Sequence, residues 1–218
     1  MTDSLASGEW GSSDDPPSGG RPIDNEDFVL DALELLLTRE SALKLVEPAP
    51  GRVALEGILS SAVRAPDHGR LRPWEFLVIE GEGREEFGRI LGESLLRRRP
   101  DTSEELLDVE RKKALRAPMI IVVVATIKED TKIPQVEQLL SAGAAAQNIM
   151  LAVQAFGFAA MWKTGDAAYD PQVKQELGLQ ATDEIVGFLY VGTRTGRSSP
   201  LPRPKAEAHA RRWPPQPA

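Results

Sequence analysis

The sequence predicts an α+β protein, a three-layer α/β/α sandwich with helices on both faces of one sheet. Three observations carry that expectation. Met119–Ala125 (MIIVVVA) is an unbroken apolar run rich in β-branched residues, which suits a central strand covered on both sides. Helix-period segments stand between the strand-like runs, so the helices have both faces of the sheet to cover. From Asp24 to Gly196 there is neither a repeat nor a Pro/Gly/Ser linker long enough to divide the chain, and the 41% hydrophobic content can fill one sizeable core.

Taken in order, the first two dozen residues are rich in Ser, Gly, Asp and Pro and predict a flexible tail over 1–24. Asp24 or Asn25 can cap an opening helix whose Phe28, Leu33, Leu36 and Leu37 line one face, running to about Arg39. Pro50 can start a second helix, with Val53, Ala54, Ile58, Ala62 and Val63 as its apolar stripe, ending before Pro66. Trp74–Glu80 (WEFLVIE), bounded by Pro73 and by Gly81 and Gly83, reads as a buried strand and a turn. Charged helical segments follow over about 84–99 and 103–115, and then the Met119–Ala125 strand. A long helix is expected from Pro134 to Phe156, and the small side chains of its middle (Ser141–Ala146) permit close approach by a helix, a subunit or a flat ligand. Phe158–Trp162 and Glu184–Val191 are further strands, separated by a short helix near Pro171–Leu177. This makes four strands and about six helices around a domain at 25–196. The prolines from Pro200 onward exclude a regular helix, leaving residues 197–218 as a proline-rich arm or tail in which Trp213 is the one apolar anchor.

Composition removes several kinds of chemistry. With 26 Lys and Arg against 33 Asp and Glu, the net charge of −7 gives no general attraction to nucleic acid or to an anionic membrane. The absence of cysteine excludes disulfides, thiolate metal sites and cysteine nucleophiles. No apolar run is long enough to span a bilayer and the N-terminus lacks a signal core, so a cytoplasmic location is expected. Gly81-Glu-Gly-Arg-Glu-Glu86 lacks the third glycine of a dinucleotide fingerprint, and neither a P-loop nor a Gly-x-Ser-x-Gly elbow occurs. The two histidines, His68 and His209, are too few for a histidine metal cluster, and Asp67 beside His68 on a loop is a poor metal pair.

Three polar segments border the expected elements, where function tends to collect. In Arg39-Glu40-Ser41, a guanidinium beside a hydroxyl can hold a phosphate; basic residues in a last helical turn also complement the helix dipole. Arg64-Ala-Pro-Asp-His-Gly-Arg-Leu-Arg-Pro-Trp74 places three arginines and His68 in one loop, facing either the electron-rich edge of a cofactor or phosphate, or neighbouring acids as surface ion pairs. Trp162-Lys163-Thr164-Gly165 offers backbone amides, a cation and a hydroxyl directly after a strand, or is a plain turn.

In this order, and with Ala32-Leu-Glu-Leu-Leu36, Arg72-Pro-Trp74, Ile79-Glu-Gly-Glu-Gly-Arg84 and Ile185-Val-Gly-Phe-Leu-Tyr-Val-Gly-Thr193, the segments resemble the FMN-dependent nitroreductase family. The likeness is strongest to its small branch with Arg-x-Ser, Arg-Ala-Pro-Asp-His and Trp-Lys/Arg-Ser/Thr-Gly elements, and it spans Ala32 to Thr193. It implies the nitroreductase-like FMN fold with a central mixed sheet, and a homodimer whose two FMN clefts are each built from both subunits. Carried over by position, Arg39 and Ser41 hold the FMN phosphate and ribityl end, with Glu40 between them on the backbone path. Arg64 and His68 contact the flavin from the second loop. Trp162, Lys163 and Thr164 lie along the isoalloxazine, where a backbone amide can bond flavin N5. The helix end Ala152, Val153, Gln154, Ala155, Phe156 and Gly157 is the candidate nicotinamide or substrate side. Gly143 and its alanine neighbours pack in the dimer core.

The function implied is hydride transfer from NADH or NADPH through FMN to a nitroaromatic, quinone or activated alkene, with no catalytic side chain and no metal, because the chemistry sits on FMN N5. Rival readings are an FMN storage or sensing protein without turnover, an enzyme using reduced FMN with oxygen or a halogenated substrate, and a structural or adaptor protein. The chain departs from the commoner members in two places. They carry Arg-Arg-Ser or Arg-His-Ser, whereas Glu40 is an acid expected to lower phosphate affinity. They carry Asn-x-Gln-Pro-Trp, whereas Arg70 and Arg72 stand here, either stabilising reduced flavin or pairing with an acidic substrate.

Overall fold

β3 (Met119–Ala125) is an inner strand of the sheet, and all seven of its residues are buried. Successive side chains point to opposite faces, so one strand serves two cores. In the computed structural model, residues 25–196 and 202–213 are described, with side chains from residue 32 onward. The tail expected at 1–24, and the stretches 197–201 and 214–218 of the arm, lie outside them. The backbone divides at Leu37 and Thr38 into two compact units. The first holds nearly all of α1 (Asn25–Thr38).

The second unit holds the sheet. β1 (Leu45–Val46) and β4 (Ala159–Lys163) both pair with β5 (Glu184–Arg194); β5 pairs with β3, and β3 with β2 (Glu75–Glu80). All of these pairings are antiparallel. This corrects the expected mixed sheet. β3 and β4, joined by α5 (Gln135–Ala155), do run in the same direction, but β5 is inserted between them, so no two neighbours are parallel. The two-residue β1 also raises the strand number from four to five; it is too short to show a period.

α2 (Arg52–Ala62) and α5 cover one face. Ile58, Ala62, Ala145, Ala146, Ile149 and Val153 pack there against Met119, Ile121, Val123, Leu189 and Val191. The small residues of α5 thus serve a helix contact within the chain, where Asn148 Nδ2 donates to Ser61 O at 3.0 Å. Gly143 is different: a Cβ built on it meets nothing within 4 Å. On the other face α3 (Gly83–Arg98), α4 (Glu104–Arg111) and α6 (Pro171–Glu176) cover Ile120, Val122, Val124, Phe188 and Tyr190. The segment expected as one helix over 103–115 changes to a 3-10 turn at Lys112–Leu115, tightening the chain ahead of Pro118. No helix among the described residues is long and apolar enough to cross a membrane. In the arm, Ala206–Ala208 is a 3-10 turn, and Trp213 is 78% exposed with the Arg211 guanidinium 5.8 Å from its ring centroid.

Asp170 ties α3 to α6. One oxygen caps α6 by accepting from Gln172 N at 2.9 Å; the other accepts from Ser94 Oγ at 2.6 Å and Arg97 at 3.2 Å. Burial alone pushes this carboxyl up, but the three donors outweigh it and hold it below the ordinary value of 3.8. A depressed carboxyl contributes stability that is complete above its unfolded value and is lost as pH falls through the folded one. Asp170→Ala is therefore expected to cost about 2 kcal/mol, or roughly 4–8 °C in Tm, at pH 7. In thermal melts the difference from wild type shrinks below about pH 4.

Candidate functional site

The Arg39–Ser41 segment lies beside β4 because Ala42 N donates to Ala160 O at 3.0 Å. It is fastened at three further points. Glu40 pairs with Arg194 at the end of β5, Gln154 Nε2 donates to Thr38 Oγ1 at 3.0 Å, and Arg203 of the arm donates to the Arg39 carbonyl at 2.8 Å. Thr38, Glu40, Gln154 and Arg194 border a cleft of about 340 Å³ between the segment and the end of α5.

At the far end of β4, Trp162 sits on a bulge. The register of β3 with β5 slips between Val123 and Val124, leaving Val186 as the extra residue. Trp162 Nε1 donates to the Val186 carbonyl at 3.3 Å, and a Cβ on Gly187 would stand 2.1 Å from the same nitrogen. Only glycine leaves room for the indole. Gly187→Ala is expected to displace Trp162, lowering stability by about 1–3 kcal/mol and shifting the tryptophan emission. The ladder with β5 ends at Lys163, and Gly165 at φ 91° turns the chain into the Asp166–Tyr169 turn. A residue with a side chain is disfavoured at that φ.

The turn opens onto the face covered by α3 and α4, into a groove of about 530 Å³ that Lys163, Thr164, Gly165, Arg116 and Tyr190 help to line. A smaller cavity of about 170 Å³, lined by Ala42, Leu43 and Met161, shares Arg116, Lys163 and Tyr190 with it. The two cavities adjoin at these three residues and together trace a path from Ala42, next to Ser41, to the turn after β4. Leu91, Leu95 and Phe188 give the groove an apolar side, and charged side chains line the rest. Arg98 pairs with Asp166 at 2.5 Å and Lys113 with Glu110 at 2.5 Å, whereas Arg99, Arg116 and Lys163 have no acid partner among the described residues. Burial pushes the Tyr190 hydroxyl up to about 12, partly opposed by Arg116, so at neutral pH it is a protonated donor.

The first part of the second loop is elsewhere. Arg64 and His68 follow α2 and lie on the α2/α5 face, not the groove face; His68 Nδ1 is 2.6 Å from Glu137 Oε2 on α5, and Ser141 Oγ donates to Pro66 O at 2.7 Å. Asp67 shapes the loop by accepting from Leu71 N at 3.1 Å and Arg72 N at 2.8 Å. Of the six residues at the end of α5, Gln154 and Gly157 line the cleft, while Ala152 and Val153 are buried in the core. Ala155 is exposed, and the Phe156 ring is so close to Gly57 that a Cβ there would lie 2.5 Å from it. The helix stops in a Schellman arrangement, with Phe158 N donating to Val153 O and Gly157 N to Gln154 O.

The model of the nitroreductase family matches residues 42–193, which takes in the sheet, both covering layers and the path between them. The chain belongs to the nitroreductase family. Relatives of this nitroreductase-family chain include the "Putative NAD(P)H nitroreductase YdjA" of Escherichia coli (strain K12), 44% identical over 75% of this chain and 88% of that one. The "Putative NAD(P)H nitroreductase" of Haemophilus influenzae is 39% identical over 75% and 89%. The fold is also that of the nitroreductase-like family protein from Bacillus cereus, with a TM-score of 0.72, 23% identity and coverage of 84% and 95%. A third likeness is to a mutant of the FMN and NADPH-dependent nitroreductase NfnB from "sphigopyxis sp. strain HMH", with a TM-score of 0.67, 19% identity and coverage of 84% and 98%.

Within this nitroreductase-family fold, sequence reasoning passed over Arg116, Tyr190, Arg194 and Arg203. One signal was present for the first of them: Arg116-Ala-Pro118 repeats the tripeptide of Arg64-Ala-Pro66 ahead of a strand. The others carry no local mark, because each is set by a partner far away in the chain.

Proposed function

We propose that this protein is an FMN-dependent oxidoreductase that uses NADH or NADPH to reduce a small acceptor such as a nitroaromatic, quinone or activated alkene. The observation that carries the reading is the pair of adjoining cavities from Ala42 to the turn after β4, bordered by Arg116 and Lys163, which have no acid partner among the described residues. Its chemistry fits FMN. The apolar side suits a flavin ring, the cations without an acid partner among the described residues suit its phosphate and the electron-rich edge of the ring, and a volume of several hundred Å³ is that of a cofactor site. Arg39 and Ser41 then hold the phosphate end, and Trp162, Lys163 and Thr164 lie along the ring. FMN held there would supply the redox chemistry, hydride transfer between a reduced nicotinamide and the acceptor. The residues of the chain bind, orient and exclude water.

Arg64 and His68 belong to the same site only if a second copy brings them, since within one chain they lie on the other face of the sheet. The outer side of α5 suits that contact. Val136 is 58% and Leu140 67% exposed, one turn apart, and Gly143 next to them leaves space for close approach. The reading thus includes a homodimer, an FMN-binding domain at 25–196 and an arm at 197–218 that reaches Arg39 through Arg203.

Steady-state kinetics test it against storage or sensing. Double-reciprocal plots at several acceptor concentrations are expected to give parallel lines, because donor and acceptor use one cleft in turn. FMN binding without acceptor-dependent oxidation of NADH or NADPH would leave the storage reading standing.

A further inference from the structure

The loop between Asp67 and Trp74 has a feature that the proposed function does not use. Arg70 and Arg72 both have left-handed backbone, at φ 56° and 50°, a region where residues with a Cβ are disfavoured. The carboxylate of Asp67 holds them there through the Leu71 and Arg72 amides, and Gly69 before them, at φ 73°, is wedged against Ile133. Glycine at 70 or 72 would relieve the conformation. Arginine there makes sense through what its side chain does.

Among the described residues neither arginine side chain has an acid partner. Asp67 is engaged with the backbone, and Glu137 on the packed helix α5 with His68. Arg70 and Arg72 are exposed and make no ion pair among the described residues, in a chain of net charge −7. The register puts the loop where a ligand of the site can be met. Glu75, at the start of β2, pairs with Val124; Lys163, at the end of β4, pairs with Phe188, which pairs with Val122. The loop enters the sheet at the same end at which the Thr164–Gly165 turn leaves it.

We infer that Arg70 and Arg72 form an anion-recognition pair that selects an electron acceptor bearing a carboxylate or a similar fixed negative charge. The inference rests on the FMN oxidoreductase reading, since it names the substrate class of that site. A guanidinium offers a carboxylate two parallel donors, and a pair preset by the loop loses little freedom on binding.

Isothermal titration of the FMN-loaded protein with benzoate and benzamide, which match in shape but not in charge, tests it without turnover. Wild type is expected to bind benzoate about tenfold more tightly than benzamide. The preference narrows as salt rises. The double variant Arg70→Gly with Arg72→Gly is expected to bring the two affinities together while the melting temperature holds or rises; Arg72→Lys retains part of the preference. Equal affinities in wild type, or a preference untouched by the double variant, overturn the inference. So does a double variant that changes NADPH relative to NADH affinity and leaves benzoate alone, because the anion is then the nicotinamide's extra phosphate. The same titration without FMN, beside a flavin spectrum, separates the two readings. An FMN-free protein that keeps the Arg70- and Arg72-dependent preference retains the anion pair after the flavin reading has failed, and one without it overturns both.

Discussion

Replacing Arg116 and Lys163 together by alanine is expected to raise the FMN dissociation constant by about a hundredfold. The two cations line both the smaller cavity beside Ala42 and the groove beside Thr164, and neither has an acid partner among the described residues. A charge-assisted hydrogen bond contributes about 1.5 kcal/mol or more, and two of them correspond to about two powers of ten. Because no native ion pair is broken, the melting temperature of the flavin-free protein should move little. Quenching of flavin fluorescence gives the constant. Unchanged affinity with unchanged stability would place the flavin elsewhere.

The second large effect has opposite signs at two positions. Glu40 stands between the two residues proposed to hold the phosphate, and its charge opposes binding. Arg194 pairs with it from the end of β5, and the two side chains are only 22% and 27% exposed, so the pairing is not fully screened by water. Arg194→Gln removes a cation held against that carboxylate and is expected to weaken FMN binding about tenfold. Glu40→Gln frees a guanidinium and is expected to tighten it a few-fold, and the double variant returns close to wild type. Such a cycle isolates the coupling between the pair. If both single variants weaken binding equally, the pair is only a structural brace for the segment. The acid that sequence reading counted against phosphate binding is thereby compensated by a residue 154 positions away.

The helices and the four longer strands were legible because each has its own period or its own apolar run. β1 has two residues and is created by the edge of β5, so no local pattern announces it. Strand direction was not legible either: the long helix between Ala125 and Ala159 suggests parallel neighbours, and only the insertion of the last strand between them makes the sheet antiparallel. At the site, Arg39–Ser41 and Trp162–Thr164 stood out because polar groups cluster beside elements. The cations of α3 and of the turn before β3 did not. Arg98, Arg99 and Lys113 sit in charged helical stretches that read as a solvated face, and only packing on the sheet turns part of that face into a rim. Arg64 and His68 were legible as a loop, but their place on the α2/α5 face is a property of the fold.

The visible spectrum of the protein, recorded after FMN is supplied and free flavin removed and then on anaerobic addition of NADH or NADPH, tests the central claim most directly. The account predicts a bound flavin band, in a one-to-one ratio with the chain, that bleaches with at least one of the two donors. A band that stays with both donors would contradict the oxidoreductase reading, and no band at all would contradict the assignment of the path between Ser41 and Gly165 to the cofactor.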